Sequence, residues 1–326
     1  MEHLGFESCK ADPNVWLQPK KDHTGQEFYE YVLIYTDDIL TIAKDPRKIL
    51  DCIDKYFTLK PSLIGEPDTY LRAKLKKVSH NGQTMWTQSA ASYVKEAVKN
   101  TEEWMEQMVL KFPAPCDMPM PMTYRPELDV SPELLPEVAN WYQSVIGVLR
   151  WAIELGRVDI TTKTSMMASM MALPRDGHLV AVLHIFAYLK KHHNLGIAFN
   201  PTYPDIDYSS YRKKDWTSFY NNVKEPIPPN APKPLGLPVV ICFFVDADHA
   251  GDHLTRCSHT GYVMYLNSAI MNWYSKKHGS VEGATFGSEF MAMKTIVEVN
   301  RGLRYKMGPL SASLEGRHLS YSDVEK

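Results

Sequence analysis

The chain has no apolar run approaching the roughly 20 residues that a membrane-spanning helix needs. Its opening Met1-Glu2-His3-Leu4-Gly5-Phe6 is not a secretory signal. The expected location is therefore intracellular. Cysteine is scarce: five residues, Cys9, Cys52, Cys116, Cys242 and Cys257, odd in number, scattered and without a Cys-x-x-Cys pair. This excludes a disulfide scaffold or a zinc site as the organising device and predicts free, buried thiols. An excess of positive charge is also missing, since 36 Lys+Arg against 38 Asp+Glu leave a formal net charge of −2. Phosphate neutralisation supplies most non-specific affinity for nucleic acid, so any such role has to rest on local patches. Lys74, Lys76 and Lys77, then Lys190, Lys191, His192 and His193, then Lys276 and Lys277, then Arg301, Arg304 and Lys306 are the clusters present. Each is equally well a plain solvated face.

What is present is ordinary for a globular protein: 326 residues, 44% of them hydrophobic, enough for two domains with cores. The stretch that organises the rest is Tyr31-Val32-Leu33-Ile34-Tyr35-Thr36-Asp37-Asp38-Ile39-Leu40-Thr41-Ile42-Ala43. Two apolar, β-branched and aromatic runs flank two adjacent carboxylates. The pattern predicts a buried antiparallel hairpin over about residues 28–35 and 39–44 with Asp37-Asp38 at its tight turn. Burying two like charges raises at least one pKa unless a cation neutralises them, so a divalent metal is one reason to place them together. A solvated Asp-Asp turn fits the same residues, because aspartate suits turns.

After the hairpin, Ile49, Leu50, Ile53 and Phe57 recur at helical spacing within Arg47 to Phe57. Residues 68–78 alternate apolar and basic side chains before Asn81-Gly82, which predicts strand, turn and strand, closing with Met85-Trp86. Ser92 to Met108 reads as an amphipathic helix with Tyr93, Ala97, Trp104 and Met108 on its stripe. Seven prolines between Pro113 and Pro136 then impose an extended connector. Three helical stretches follow: Val138 to Leu155 ended by Gly156, Asp159 to Leu173, and His178 to His193. The cluster Met166, Met167, Met170 and Met171 reads as core. Residues 201–238, rich in Pro and Tyr, read as a semi-rigid linker and the domain boundary.

Beyond the linker strands take over. Val239 to Val245 is a continuous apolar run that stops at Asp246-Ala247-Asp248, which places a carboxylate at a sheet rim within reach of a metal. Gly261 to Leu266 and Ile270 to Tyr274 read as two further strands. In the helix of about Thr285 to Met307, Phe286, Phe290, Met293 and Val297 form the expected buried stripe. Glu289 lies about 70° from its centre and Glu298 about 110°, so Glu289 is expected to lean toward Asp246. A fourth strand, Arg317 to Tyr321, is expected to end at Asp323, and the three carboxylates to converge.

Taken together and in order, these motifs resemble the copia-type retrotransposon polyprotein. Tyr35-Thr36-Asp37-Asp38 resembles the Tyr-x-Asp-Asp motif of reverse transcriptases, and Leu4-Gly5-Phe6 with Lys10-Ala11-Asp12-Pro13 resembles the segment before it. Tyr142-Gln143-Ser144-Val145-Ile146-Gly147 and Arg157-Val158-Asp159-Ile160 resemble the connecting region. Asp246 to Asp252, Thr260-Gly261-Tyr262 and Gly287-Ser288-Glu289-Phe290 resemble the ribonuclease H segment.

The resemblance implies an α+β chain: a truncated polymerase palm over 1–110, a helical thumb or connection over 111–200, the Pro-rich linker 201–238, and a partial ribonuclease H-like α/β domain over 239–326. It implies RNA-directed DNA synthesis and cleavage of RNA in an RNA–DNA hybrid. Mg²⁺ or Mn²⁺ would lie on Asp37 and Asp38, with Asp37 the favoured ligand, and on Asp246, Glu289 and Asp323. Tyr35, Lys74, Lys76 and Lys77 would touch an RNA template or hybrid. Two positions depart from the family pattern: Arg72 stands where Leu-Gly is usual, and Asp323-Val324 where Asp-Asn is usual. An upstream polymerase carboxylate and a last ribonuclease aspartate are expected in missing N- and C-terminal parts of the polyprotein. The chain alone is then expected to be inactive, and a non-catalytic, nucleic-acid-binding relic is the alternative.

Overall fold

The computed structural model describes residues 1–206, 217–221, 232–308 and 310. Helices and antiparallel sheets are mixed along the chain, compatible with an α+β class. Four strands, β1 (Glu7–Ser8), β2 (Val15–Lys21), β3 (Glu27–Tyr35) and β4 (Asp38–Ile42), form the first sheet in chain order. Tyr35 pairs with Asp38, which leaves Thr36-Asp37 as a two-residue turn with Thr36 in the left-handed region at φ +53°. Alternation sends Val32, Ile34 and Ile39 to the face covered by α1 (Pro46–Asp54), where Ile49, Ile53 and Phe6 close a small core. The helix starts where Asp45 accepts the Lys48 backbone N–H at 3.4 Å and Pro46 occupies the first turn. It stops at Asp54, so Phe57, expected on its stripe, lies beyond it and is exposed.

The second sheet is β5 (Thr69–Tyr70), β6 (Ala73–His80), β7 (Gln83–Ser89) and β8 (Gly196–Phe199), again in that order. The β6–β7 turn is the expected Asn81-Gly82, at φ +50° and +77°. The β5–β6 turn, Leu71-Arg72, is also left-handed at φ +48° and +67° without a glycine. Four helices share one core with this sheet: α2 (Ala91–Gln107), α3 (Pro136–Glu154), α4 (Thr161–Ala168) and α5 (Asp176–Lys191). One core runs from Ala73 and Ala90 through Val94, Tyr142 and Leu149 to Met167, Val182 and Phe186. A division at residue 110 cuts this core, because β8 returns after α5 to pair Phe199 with Trp86.

Within this unit the stripe of α2 is rotated from the expected one. Val94, Ala97, Val98, Thr101 and Met105 are buried, whereas Trp104 packs at the margin on Trp141, ring centroids 3.6 Å apart, and Met108 is exposed. Gly156, at φ +106°, follows α3, and Arg157 beside it is fully buried. Its guanidinium donates to both Asp159 oxygens, at 2.9 and 2.6 Å, and the Tyr188 hydroxyl donates to Asp159 at 2.8 Å. The 113–136 connector holds a single 3₁₀ turn, Pro126–Leu128. Met167 is core as expected, with Met166 and Met171 partly buried against it.

A one-turn helix, α6 (Thr217–Tyr220), precedes the third sheet. That sheet contains β9 (Ile241–Asp248), β10 (His259–Leu266) and β11 (Ala269–Lys277), ordered β11-β10-β9, and α7 (Thr285–Met307) follows. Phe243, Val245, Tyr262, Met264 and Tyr274 form the face on which α7 lies. The buried stripe of α7 is Ser288, Ala292 and Ile296, not the expected phenylalanines; Phe286 and Phe290 are exposed and stack on each other. Small side chains let the helix lie close to the sheet, and rings of that size on the same stripe would hold it off. Strand β9 continues past Val245, so Asp246 sits inside the strand. The expected fourth strand and Asp323 lie outside the described residues. Segments of 201–238 are tied down: the Asn267 side chain donates to the Pro201 carbonyl at 3.1 Å, and the Ser268 N–H to the Thr202 carbonyl at 3.0 Å. The cysteines are free, Cys9 buried and the others half-buried. Among the described residues no helix is long and apolar enough to cross a membrane.

The left-handed Arg72 carries a backbone cost of about 1–2 kcal/mol that glycine does not. Arg72→Gly is expected to raise the unfolding free energy read from urea titration by about 0.5–1 kcal/mol once the freer unfolded chain is counted. Arg72→Ala, which keeps the Cβ, is expected to give no such gain.

Candidate functional site

Two places hold the sequence-predicted carboxylates, and they differ in character. At the first hairpin, Asp37 occupies the turn and Asp38 opens β4 on the same face as Tyr35. Both aspartates are exposed, as is Tyr35, at 53%. The expectation of a buried pair is corrected here: the flanking runs bury the stem, and the tip projects beyond it. Tyr70 of β5 lies near this tip. Burial, and then the charges of Asp38 and Asp12, push its hydroxyl pKa up. Lys74, Lys76 and Lys77 are exposed on β6. Lys74 pairs with Asp68 at 2.7 Å, and Lys77 pairs with Glu66 while lying over the Trp86 ring. Two of these three lysines thus carry counterions. The Lys190 and Lys191 patch is likewise neutralised, by Glu102 and Asp117.

The second place is the face of the third sheet turned away from α7. Cross-strand register sets Asp246 opposite Gly261 and Gly261 opposite Ser275; it sets Asp248 opposite His259 and His259 opposite Lys277. These side chains share one face by alternation. Facing them are Arg125 and Glu127 of the 3₁₀ turn and Thr162, Met166, Ser169 and Met170 of α4 and its continuation, enclosing a cleft of about 190 Å³. Met166 is therefore cleft wall as well as core margin, and Met170 is cleft wall. Glu127 holds the opposite wall by accepting the His253 N–H at 3.1 Å.

The loop between β9 and β10 is braced from within. Ala250 N–H donates to Ser258 Oγ at 3.1 Å. A Cβ on Gly251 would lie 2.0 Å from an Asp248 oxygen, so a larger residue there requires the exposed Asp248 carboxylate to move. Asp252, 8% exposed, accepts Lys277 Nζ at 2.8 Å and the N–H groups of Leu254 and Thr255 at 3.1 and 2.7 Å. Burial pushes the Asp252 carboxyl up, but the bonds from Lys277 and Thr255 outweigh it and hold it at about 2. Burial drives the His259 imidazole down, against the pull of Asp248, and its buried Nε2 has no hydrogen-bond partner among the described residues.

Of the expected trio, Asp246 and Glu289 fall among the described residues. Asp246 projects from the face opposite to the one α7 covers, while Glu289 is half-buried on α7. Glu289 is not among the described residues that line the cleft. Asp323 lies outside the described residues. Among the described residues no three His, Cys, Asp or Glu side chains are grouped to hold a metal ion. Asp246 and Asp248 nonetheless provide two carboxylates on one open face. That donor set fits a hydrated Mg²⁺, which keeps several waters and takes one or two carboxylates plus phosphate oxygens. The residues missed from sequence are Arg125 and His259, while Lys277 enters there only as part of a basic cluster and Asp252 only within the Asp246 to Asp252 stretch. Period-two counting through β10 and β11 could have found His259 and Lys277, but Arg125 comes from about 120 residues upstream and gives no local signal.

No family model matches the chain, and no solved structure matches it. It is 24% identical over 274 residues to a transposon Ty5-1 protein of Saccharomyces cerevisiae, covering 82% of this chain and 73% of that protein. It is 24% identical over 293 residues to the retrovirus-related Pol polyprotein from transposon RE1 of Arabidopsis thaliana, and 22% over 289 residues to that from transposon TNT 1-94 of Nicotiana tabacum. These alignments cover 89% and 86% of this chain but 16% and 18% of the polyproteins. The chain thus has retrotransposon Pol polyproteins as relatives over most of its length and spans about a sixth of the two plant polyproteins.

The Asp252–Lys277 pair gives the cleft a pH signature. The Asp252 pKa is depressed from 3.8 to about 2. Its contribution, about 2 kcal/mol, is fully present above pH about 4 and is lost as pH falls through about 2. Lys277→Met is expected to move the acid-unfolding midpoint upward, with the gap from the unmodified protein closing below pH about 2. Equal midpoints in an acid titration followed by circular dichroism would refute the pairing.

Proposed function

We propose that the chain is the part of a retrotransposon Pol polyprotein that joins the end of a reverse transcriptase palm, through a helical connection, to a ribonuclease H-like sheet. The observation that carries this reading is the register of β9, β10 and β11, which sets Asp246 and Asp248 side by side on a face not covered by α7. Gly261, lacking a side chain, leaves room beside Asp246 where a phosphodiester can approach. Ser275 and the wall of α4 bound that room. A divalent ion, Mg²⁺ or Mn²⁺, when bound there supplies charge neutralisation to the phosphodiester and lowers the pKa of its water.

In the same reading the hairpin tip with Tyr35, Asp37 and Asp38 is the remnant of the polymerase site, and Lys74, Lys76 and Lys77 flank the nucleic acid. Lys76 forms no ion pair among the described residues, so it is the lysine of the three open to a phosphate. The partners are an RNA template and an RNA–DNA hybrid. A second reading, a relic that binds nucleic acid without cleaving it, is favoured by the lack of a three-residue metal cluster among the described residues.

The test is thermal. Mg²⁺ or Mn²⁺ is expected to raise the melting temperature, and Asp246→Asn to reduce that rise, because the cation relieves repulsion between neighbouring carboxylates. Asp37→Asn separates any contribution of the hairpin tip. A metal response that Asp246→Asn leaves unchanged removes the ribonuclease reading and leaves the relic.

A further inference from the structure

We propose that Arg125, on the helical wall of the cleft, is a phosphate-binding residue that receives one strand of the nucleic-acid substrate against the Asp246 face. The proposal rests on the function assigned above. Its first support is the rigidity of the turn that carries the arginine. Pro126 follows it and is buried, and the Pro126 carbonyl lies 2.8 Å from Nε2 of the buried His178. Tyr124, on the other side, donates its hydroxyl to Asp129 at 2.9 Å. The backbone on both sides of Arg125 is therefore held, while its own side chain is exposed to the cleft.

The second support is charge. Arg125 forms no ion pair among the described residues, although Glu127, two residues on, lines the same cleft. Glu127 has turned instead to the His253 backbone. Lys163, next to the cleft-lining Thr162, is also without an ion pair among the described residues, and after burial it is Arg125 that depresses its pKa. Arg125 thus lines the cleft that Asp246 and Asp248 line from the sheet wall, with Lys163 close enough to feel its charge. The two walls line one cleft without Arg125 bonding to either aspartate. A guanidinium presents a planar fork that matches a phosphate with two parallel bonds, so an unpaired arginine on a fixed turn is suited to a phosphodiester. At about 190 Å³ the cleft is below the size of ordinary ligand pockets, so it admits a stretch of backbone rather than stacked base pairs.

The experiment measures binding of a fluorescent RNA–DNA hybrid to the full chain in Mg²⁺ over a range of salt concentrations. Arg125→Ala is expected to weaken binding roughly tenfold and to lower the slope of log affinity against log salt by about 1. Arg125→Lys is expected to restore the slope but only part of the affinity, since lysine supplies the charge without the fork. Arg150→Ala, which removes the same charge from an exposed site on α3, is expected to change neither. Identical behaviour of Arg125→Ala and Arg150→Ala, or no measurable hybrid binding by the unmodified chain, overturns the proposal. The Mg²⁺ melting shift of Asp246→Asn is read separately. If that shift is lost while Arg125→Ala is silent, the ribonuclease reading stands and this one falls; if Arg125→Ala loses slope while the shift is unaffected, phosphate binding stands without a metal site.

Discussion

A β-strand sends successive side chains to opposite faces, and in β9 that alternation separates two kinds of chemistry. Phe243 and Val245 go to one side with Tyr262 and Met264, and α7 covers them. Asp246 and Asp248 go to the other, opposite Gly261 and His259. A shift of one residue in register would bury the carboxylates under the helix and expose the phenylalanine and valine, so the apolar face enforces the placement of the acidic one. The cleft is therefore a consequence of how the third sheet makes its core.

The opposite wall depends on a different core. Helices α2 to α5 share one apolar interior with the second sheet, closed when β8 returns to β7. That interior fixes α4. Trp273 of β11 packs against it, and Glu127 is bonded to the loop after β9, so the two units meet with a gap lined by opposite charges. Arg157, buried between α3 and α4 and satisfied largely by Asp159, holds the corner from which α4 departs. A buried pair of this kind is costly to break on one side only, which makes the corner a fixed point rather than a hinge.

Local signals were legible where local chemistry decides the structure. Asn81-Gly82 turned where its left-handed preference requires, and the apolar runs around Asp37-Asp38 made a hairpin with a two-residue turn. The failures share a cause. Phe286 and Phe290 outrank Ser288 and Ala292 in hydrophobicity, yet close approach of α7 to the sheet selects the small residues, and that can be seen only with the sheet in place. The division at residue 110 failed because the strand that completes the second sheet lies after α5. The cleft itself joins residues about 120 positions apart, and no pattern of either segment alone announces the other.

The central claim is that Asp246 and Asp248 form a cation-accepting face turned toward α4. Crystals of the protein soaked in Mn²⁺, with data collected for the anomalous signal of manganese, test it directly. The account predicts an anomalous peak in the cleft, against Asp246 or Asp248 and on the α4 side of the sheet. A peak on the α7 side, with Asp246 and Glu289 as its shared ligands, would contradict it.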